Sequence, residues 1–183
     1  MKPIFLIGFS GVGKTTIARR LAQDLQMDFV DTDDFLTRRY HSTITHMFAT
    51  CGIEKFRKRE RAAIIELAHL QDTVIATGGG LPTHDDNLDL MLDSGVVIYL
   101  SASVPTIAQR LYLVRESRPL VADKTKQEVE QYVQETLPQH EKYYSRAHLT
   151  INADRMTTPQ DEKVIVCAIL LALREHDLTS ALL

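Results

Sequence analysis

An α/β fold built on a buried parallel sheet follows from three features of the sequence. Short apolar runs alternate with longer amphipathic ones. Most of the short runs are continuously apolar rather than alternating, as strands covered on both faces are. The first of them leads straight into a glycine-rich loop that opens an amphipathic helix.

Taken in order, the strands are expected at Ile4–Ile7, Phe29–Asp31, Thr73–Thr77, Val96–Leu100 and Leu149–Asn152. Val and Ile dominate several of them, which suits packing on a pleated surface. Between them, Thr15–Gln26 sets Ile17, Ala18, Leu21, Ala22 and Leu25 on one helical stripe. Asp33–Tyr40 and Thr43–Thr50 read as two short helices, the second ended by Gly52. Glu54–Leu70 is longer and turns Phe56, Ala63, Ile64, Leu67 and Ala68 inward. Val104–Val114 carries Pro105 in its first turn, where a missing N–H costs little. Thr125–Leu137 and Pro159–Arg174 complete the helices. Two excursions break the β-α rhythm: the helical stretch 33–60 and the polar segment 115–124.

With 183 residues the chain fits one domain, 1–183. It can bury roughly 70% of its unfolded surface without staples. Lys plus Arg is 21 against 24 Asp plus Glu, a net charge of −3, which argues against a sequence-independent nucleic-acid binder. The two cysteines, Cys51 and Cys167, are far apart and in no metal-like spacing, so a disulfide scaffold is excluded and a reducing compartment is expected. The seven histidines form no zinc pattern. No apolar run is long enough for a membrane span. These features predict a soluble cytoplasmic protein with neither membrane nor nucleic-acid partner.

Gly8-Phe9-Ser10-Gly11-Val12-Gly13-Lys14-Thr15 fits G-x-x-x-x-G-K-[ST] in full, between a strand and a helix as the motif requires. Gly8, Gly11 and Gly13 let backbone N–H groups turn inward, and those donors with the helix N-terminus cradle phosphate. Lys14 brings a point charge to the β- and γ-phosphates, and the Thr15 hydroxyl is placed to ligate Mg²⁺.

Asp31-Thr32-Asp33-Asp34 closes the second strand, and ligands of open parallel sheets lie beyond the carboxyl ends of the strands. One carboxylate there could hold Mg²⁺ through water and another orient or deprotonate a hydroxyl. Equally, Asp33 or Asp34 could serve as a helix N-cap. Gly78-Gly79-Gly80 after the third strand allows close backbone approach to a ligand, or a simple turn. The run from Glu54 to Arg61 reads as a solvated helix face with i,i+3 and i,i+4 pairs, unless one Arg turns inward to an anionic substrate. Arg110, Arg115 and Arg118 flank a polar segment that is either an exposed loop or a closing lid.

Together these motifs resemble the shikimate kinase family, over about residues 3–175: the phosphate loop, Asp31-Thr32-Asp33, Phe56-Arg57 with Glu60, Thr77-Gly78-Gly79-Gly80, and Arg118-Pro119-Leu120. The resemblance implies a three-layer α/β/α P-loop kinase with a five-stranded parallel sheet, a helical substrate-binding region (about 33–60) and a lid (about 112–124). It implies transfer of phosphoryl from ATP to the 3-hydroxyl of shikimate, with Mg²⁺ as cofactor, by a monomer. Gly11, Val12, Gly13, Lys14, Thr15 and Thr16 would bind the ATP phosphates, with Thr15 and Asp31 toward the metal. Asp33 would bind and orient the attacking hydroxyl. Arg57 would grip the shikimate carboxylate, and Gly79 and Gly80 would contact the ring. Arg118 would be the lid arginine, and Arg110 would lie against adenine. Lys14, Asp33 and Arg118 are thus the expected catalytic residues.

One stretch departs from the family pattern. Gln139-His140-Glu141-Lys142-Tyr143-Tyr144 puts His140 where a second carboxylate-gripping Arg is expected. If His140 takes that role, the shikimate KM rises as pH passes about 6.5, with Lys142 or Arg146 as compensating cations. The family's late adenine-side Arg has its nearest counterpart in Arg155 or Met156. Alternatives are a kinase of the same fold acting on a gluconate-like acceptor or a nucleotide, and a nucleotide-binding module without catalysis. Retention of Asp33 and Arg118 argues against the last.

Overall fold

The computed structural model describes residues 1–176; the last seven residues of the expected domain 1–183 lie outside it. Five strands, β1 (Ile4–Ile7), β2 (Asp28–Asp31), β3 (Thr73–Ala76), β4 (Val96–Ser101) and β5 (Leu149–Asn152), form one sheet in the order β2-β3-β1-β4-β5. All four pairings are parallel, with Phe5 in register with Ile75 on one side and Val97 on the other. Each residue of β1 is completely buried, which is why that segment reads as unbroken apolar sequence.

Seven helices connect and cover the strands: α1 (Lys14–Leu25), α2 (Thr32–Tyr40), α3 (Ile44–Leu67), α4 (Asn87–Ser94), α5 (Val104–Leu113), α6 (Lys126–Tyr144) and α7 (Pro159–Glu175). Right-handed crossovers send the chain leftward through α1 and rightward through the later helices, so they fall on opposite faces of the sheet. α7 returns to pack on α1, and α5 packs on α6. The direction of crossover reverses beside β1, and the loops after β1, β2 and β3 therefore open onto one crevice at the carboxyl edge.

The structure differs from the sequence reading at three helices. The short helix Thr43–Thr50 and the longer Glu54–Leu70, expected on either side of Gly52, follow one another without a loop as α3, kinked at Gly52 with φ 74 and ψ 167. Phe48 and Phe56, on either side of the break, stack with centroids 4.3 Å apart. Eight residues of unbroken helix would separate them by about 12 Å. Leu36, Met47, Phe56 and Ala63 form a second small core under this region. α4 was not expected: it is one short stretch after an Asp-rich turn, anchored by buried Leu88 and Met91. α6 continues through Pro138 to Tyr144, although proline removes a helical donor. Gln139 donates its side-chain amide to the Glu135 carbonyl one turn back, at 3.2 Å.

Candidate active site

The glycine-rich loop and the first turn of α1 form the floor of a cleft of about 920 Å³. Lys14 is 7% exposed, and its Nζ donates to the carbonyls of Gly8 (2.8 Å) and Phe9 (2.9 Å). Burial, then the Arg118 charge, lower its pKa to about 8, partly offset by Asp33 and Asp31. Thr15 Oγ1 donates to Asp31 Oδ2 at 2.7 Å.

The cap of α2 is Asp31, not Asp33 or Asp34: its Oδ1 accepts from the backbone N–H of Asp33 (2.9 Å) and Asp34 (3.3 Å). That arrangement leaves the Asp33 carboxylate available to the cleft. Asp34 lies outside both main cavities.

Arg110 lines the cleft but spends its donors on the backbone. It donates to the carbonyls of Val12, Ala153, Asp154 and Met156, all within 3.2 Å, and so ties the phosphate loop to the loop after β5. Met156 lines the same cleft, whereas Arg155 does not.

A second cavity of about 530 Å³ adjoins the cleft, lined by the helical region 44–60, the glycines after β3 and the segment 118–121. Arg57 enters it from α3, its Nη1 donating to Glu60 Oε2 at 2.5 Å. Glu60 is 2% exposed, and burial raises its pKa to about 7 against the opposing pull of Arg57. A Cβ on Gly80 would stand 2.8 Å from the Arg57 guanidinium, so any side chain there would push the arginine aside. The charge run is thus only partly a solvated face. Arg59 stacks on Tyr40, and Arg61 reaches Asp86 and Asn87 of the α4 region.

Ser10, Asp33, Gly78, Gly79 and Arg118 line both spaces and form the wall they share. Arg118 Nη1 donates to Asp33 Oδ2 at 2.7 Å, drawing the 112–124 segment over the cleft. The buried Nε–H groups of Arg57 and Arg118 find no acceptor among the described residues. Buried donors are normally satisfied, so such leftover N–H groups suit an anionic ligand.

Lys14, Thr15, Asp31, Asp33, Arg57, Gly79, Gly80, Arg110 and Arg118 all line one or both of these spaces. His140 lines neither. It stands behind the glycine turn, its Nδ1 3.1 Å from the Tyr144 hydroxyl, which itself donates to the Gly79 carbonyl at 2.6 Å. Since the tyrosine proton is committed to Gly79, His140 is the donor in this chain. Burial, with the charges of His84, Arg57 and Lys14, lowers its pKa to about 4. The expected cationic grip and its transition near pH 6.5 are therefore not supported by this geometry. Nor do the compensating cations reach in: Lys142 is exposed and Arg146 pairs with Asp89 on the surface.

Sequence reasoning missed Ile44, Phe48 and Tyr132 as cavity-lining residues, and Tyr144 as the buried support of Gly79. Tyr132, Thr136, His140 and Tyr144 recur every four residues, a signal hidden by ending the helix before Pro138.

A family model described as shikimate kinase matches residues 10–172. A shikimate kinase of Parabacteroides distasonis is 36% identical over 173 residues, covering 94% of this chain and 100% of that protein. The crystal structure of shikimate kinase from Bacteroides thetaiotaomicron superposes with a TM-score of 0.87 at 28% identity, over 94% of this chain and 98% of that one. Shikimate kinase from Acinetobacter baumannii in complex with shikimate gives 0.80 at 30% identity, over 96% and 94%.

Proposed function

The chain belongs to the shikimate kinase family, and on that premise we propose how its own residues divide the work. The reaction is transfer of phosphoryl from ATP to the 3-hydroxyl of shikimate, giving 3-phosphoshikimate and ADP, a step of aromatic amino acid biosynthesis. The observation that carries the residue assignment is the shared wall: one carboxylate and one guanidinium, Asp33 and Arg118, face both spaces at once.

Lys14 and the backbone N–H groups of Gly11, Gly13, Thr15 and Thr16 hold the phosphates of ATP, while the Val12 N–H closes the loop on the Phe9 carbonyl. Arg57 holds the shikimate carboxylate, and the backbone of Gly79 and Gly80 meets the ring. Asp33 accepts a hydrogen bond from the attacking hydroxyl and fixes its line of approach. Arg118, released from Asp33, offsets charge on the moving phosphoryl group. The segment carrying it excludes water from the reacting centre. Arg110 acts through the loops it ties together and offers its face to the nucleotide.

Thr15 Oγ1 and Asp31 Oδ2, 2.7 Å apart, are hard oxygen groups suited to Mg²⁺. Among the described residues no group of three or more His, Cys, Asp or Glu could hold a metal alone, which suits an ion that arrives with the nucleotide. When bound, Mg²⁺ neutralises charge between the phosphates. No helix of the described chain is long and apolar enough to cross a membrane. We place the enzyme in the cytoplasm as a monomeric single domain.

The test is acceptor-dependent ADP release with MgATP, run in parallel on shikimate, gluconate and nucleoside monophosphates. Turnover with shikimate alone is expected. Turnover with gluconate alone would overturn the acceptor assignment, and silence with all would overturn the catalytic reading.

A further inference from the structure

The acceptor cavity carries a polar side chain that the roles above leave unused. Tyr132 lines it from α6, and Arg57 from α3. The four residues Tyr132, Thr136, His140 and Tyr144 stand on one face of α6 at intervals of a turn. The upper pair is committed to the Gly79 carbonyl. At the lower pair, Tyr132 packs its ring against Phe9 with centroids 6.1 Å apart. Its phenol lines the cavity and brings an O–H that can donate to a ligand there.

The remaining polar side chains of the cavity narrow the choice of partner for an acidic acceptor. Asp33 and Glu60 are carboxyls, and Arg118 is held by Asp33. Ser10 sits on the phosphate loop. Arg57 gives one Nη to Glu60 and keeps donors to spare. A carboxylate has two oxygens and about four lone-pair sites, more than one partly engaged guanidinium satisfies. Burial raises the Tyr132 pKa and the Arg57 charge pulls it partly back, so the phenol stays protonated at neutral pH and lies within the field of Arg57.

We propose that Tyr132 is a specificity-determining residue of this enzyme, donating its phenolic hydrogen bond to the acceptor carboxylate that Arg57 also holds. The proposal rests on the assignment of an acidic acceptor to this cavity. It gives the second anchor of that carboxylate to a neutral donor two turns before His140, in a chain where His140 is turned away.

The test is steady-state kinetics of wild type and Tyr132→Phe with shikimate and with its uncharged methyl ester, at saturating MgATP. Phenylalanine keeps the ring against Phe9 and removes only the hydroxyl. The shikimate KM is expected to rise about tenfold or more, as for loss of one hydrogen bond to a charged group. The KM of the ester, the KM of ATP and kcat are expected to stay within about twofold. A shikimate KM within twofold of wild type would overturn the proposal. So would equal rises for acid and ester, or a parallel loss in ATP binding, since either marks a packing role. Wild-type enzyme inactive on shikimate but active on the ester would instead overturn the acidic-acceptor assignment beneath it.

Discussion

Asp33 and Glu60 are two carboxyls of one cavity with different burdens. Asp33 meets Arg118 and faces both spaces, and in the role proposed for it its loss would remove the group that aligns the acceptor hydroxyl. Asp33→Ala is expected to lower kcat by at least about 10²-fold, measured at saturating ATP and shikimate. Glu60 is buried against Arg57, and its pKa is raised to about 7. Above that pH it is an anion that competes for Arg57; below it, it is neutral and leaves the guanidinium to the substrate. The substrate carboxylate stays ionised throughout this range. The kcat/KM for shikimate is therefore expected to be higher at pH 6 than at pH 8 through KM, with a transition near 7 that Glu60→Gln flattens. The opposite slope would show that Glu60 serves binding only as an anion.

At the level of elements, the break in α3 decides the shape of the acceptor cavity. Gly52 lies at positive φ with extended ψ, a region essentially confined to glycine, and nothing within 4 Å would meet an added Cβ. The cost of Gly52→Ala is thus backbone strain alone, about 1–3 kcal/mol. A fall in Tm of about 2–4 °C per kcal/mol is expected. Since the break sets Phe48 on Phe56, the shikimate KM should rise more than the ATP KM; equal rises would remove Gly52 from the shaping of that cavity. The sequence marks Gly52 as a helix end, and locally it is one. That the chain resumes helix at once and folds back on its own phenylalanines depends on the contacts of Leu36 and Ala63, which no local pattern contains. α6 teaches the converse. Pro138 is a sound local stop signal, overridden here because Tyr144 is fully buried on the sheet side, against Tyr99 and Gly79.

Across the whole molecule, the parallel sheet and the phosphate loop were legible because their signals are local. β1 through Thr15 carries its own strand, loop and helix start, whereas Asp33, Arg57, Gly79 and Arg118 received their roles only through the resemblance that the motifs carry together. What was not legible depends on tertiary neighbours: the cap role of Asp31, the carbonyl-clamping role of Arg110, and the retreat of His140 behind Gly79. His140 and arginine occupy the same position in the pattern but differ in reach and charge, so pattern alone could not say which way the side chain turns.

With the roles proposed for Arg118 and Asp33, the ion pair between them would link the two ligands thermodynamically. Each ligand needs one member of the pair, and whichever binds first separates them, so the second finds its partner already released. Binding is then synergistic, and the factor by which nucleotide tightens shikimate equals the factor by which shikimate tightens nucleotide. A partly exposed pair of this kind is worth about 0.2–1 kcal/mol, which sets the synergy at about 1.5- to fivefold. Calorimetric titration of shikimate with and without a non-hydrolysable ATP analogue reads that factor directly; independent or antagonistic binding would mean that the pair survives in the ternary complex.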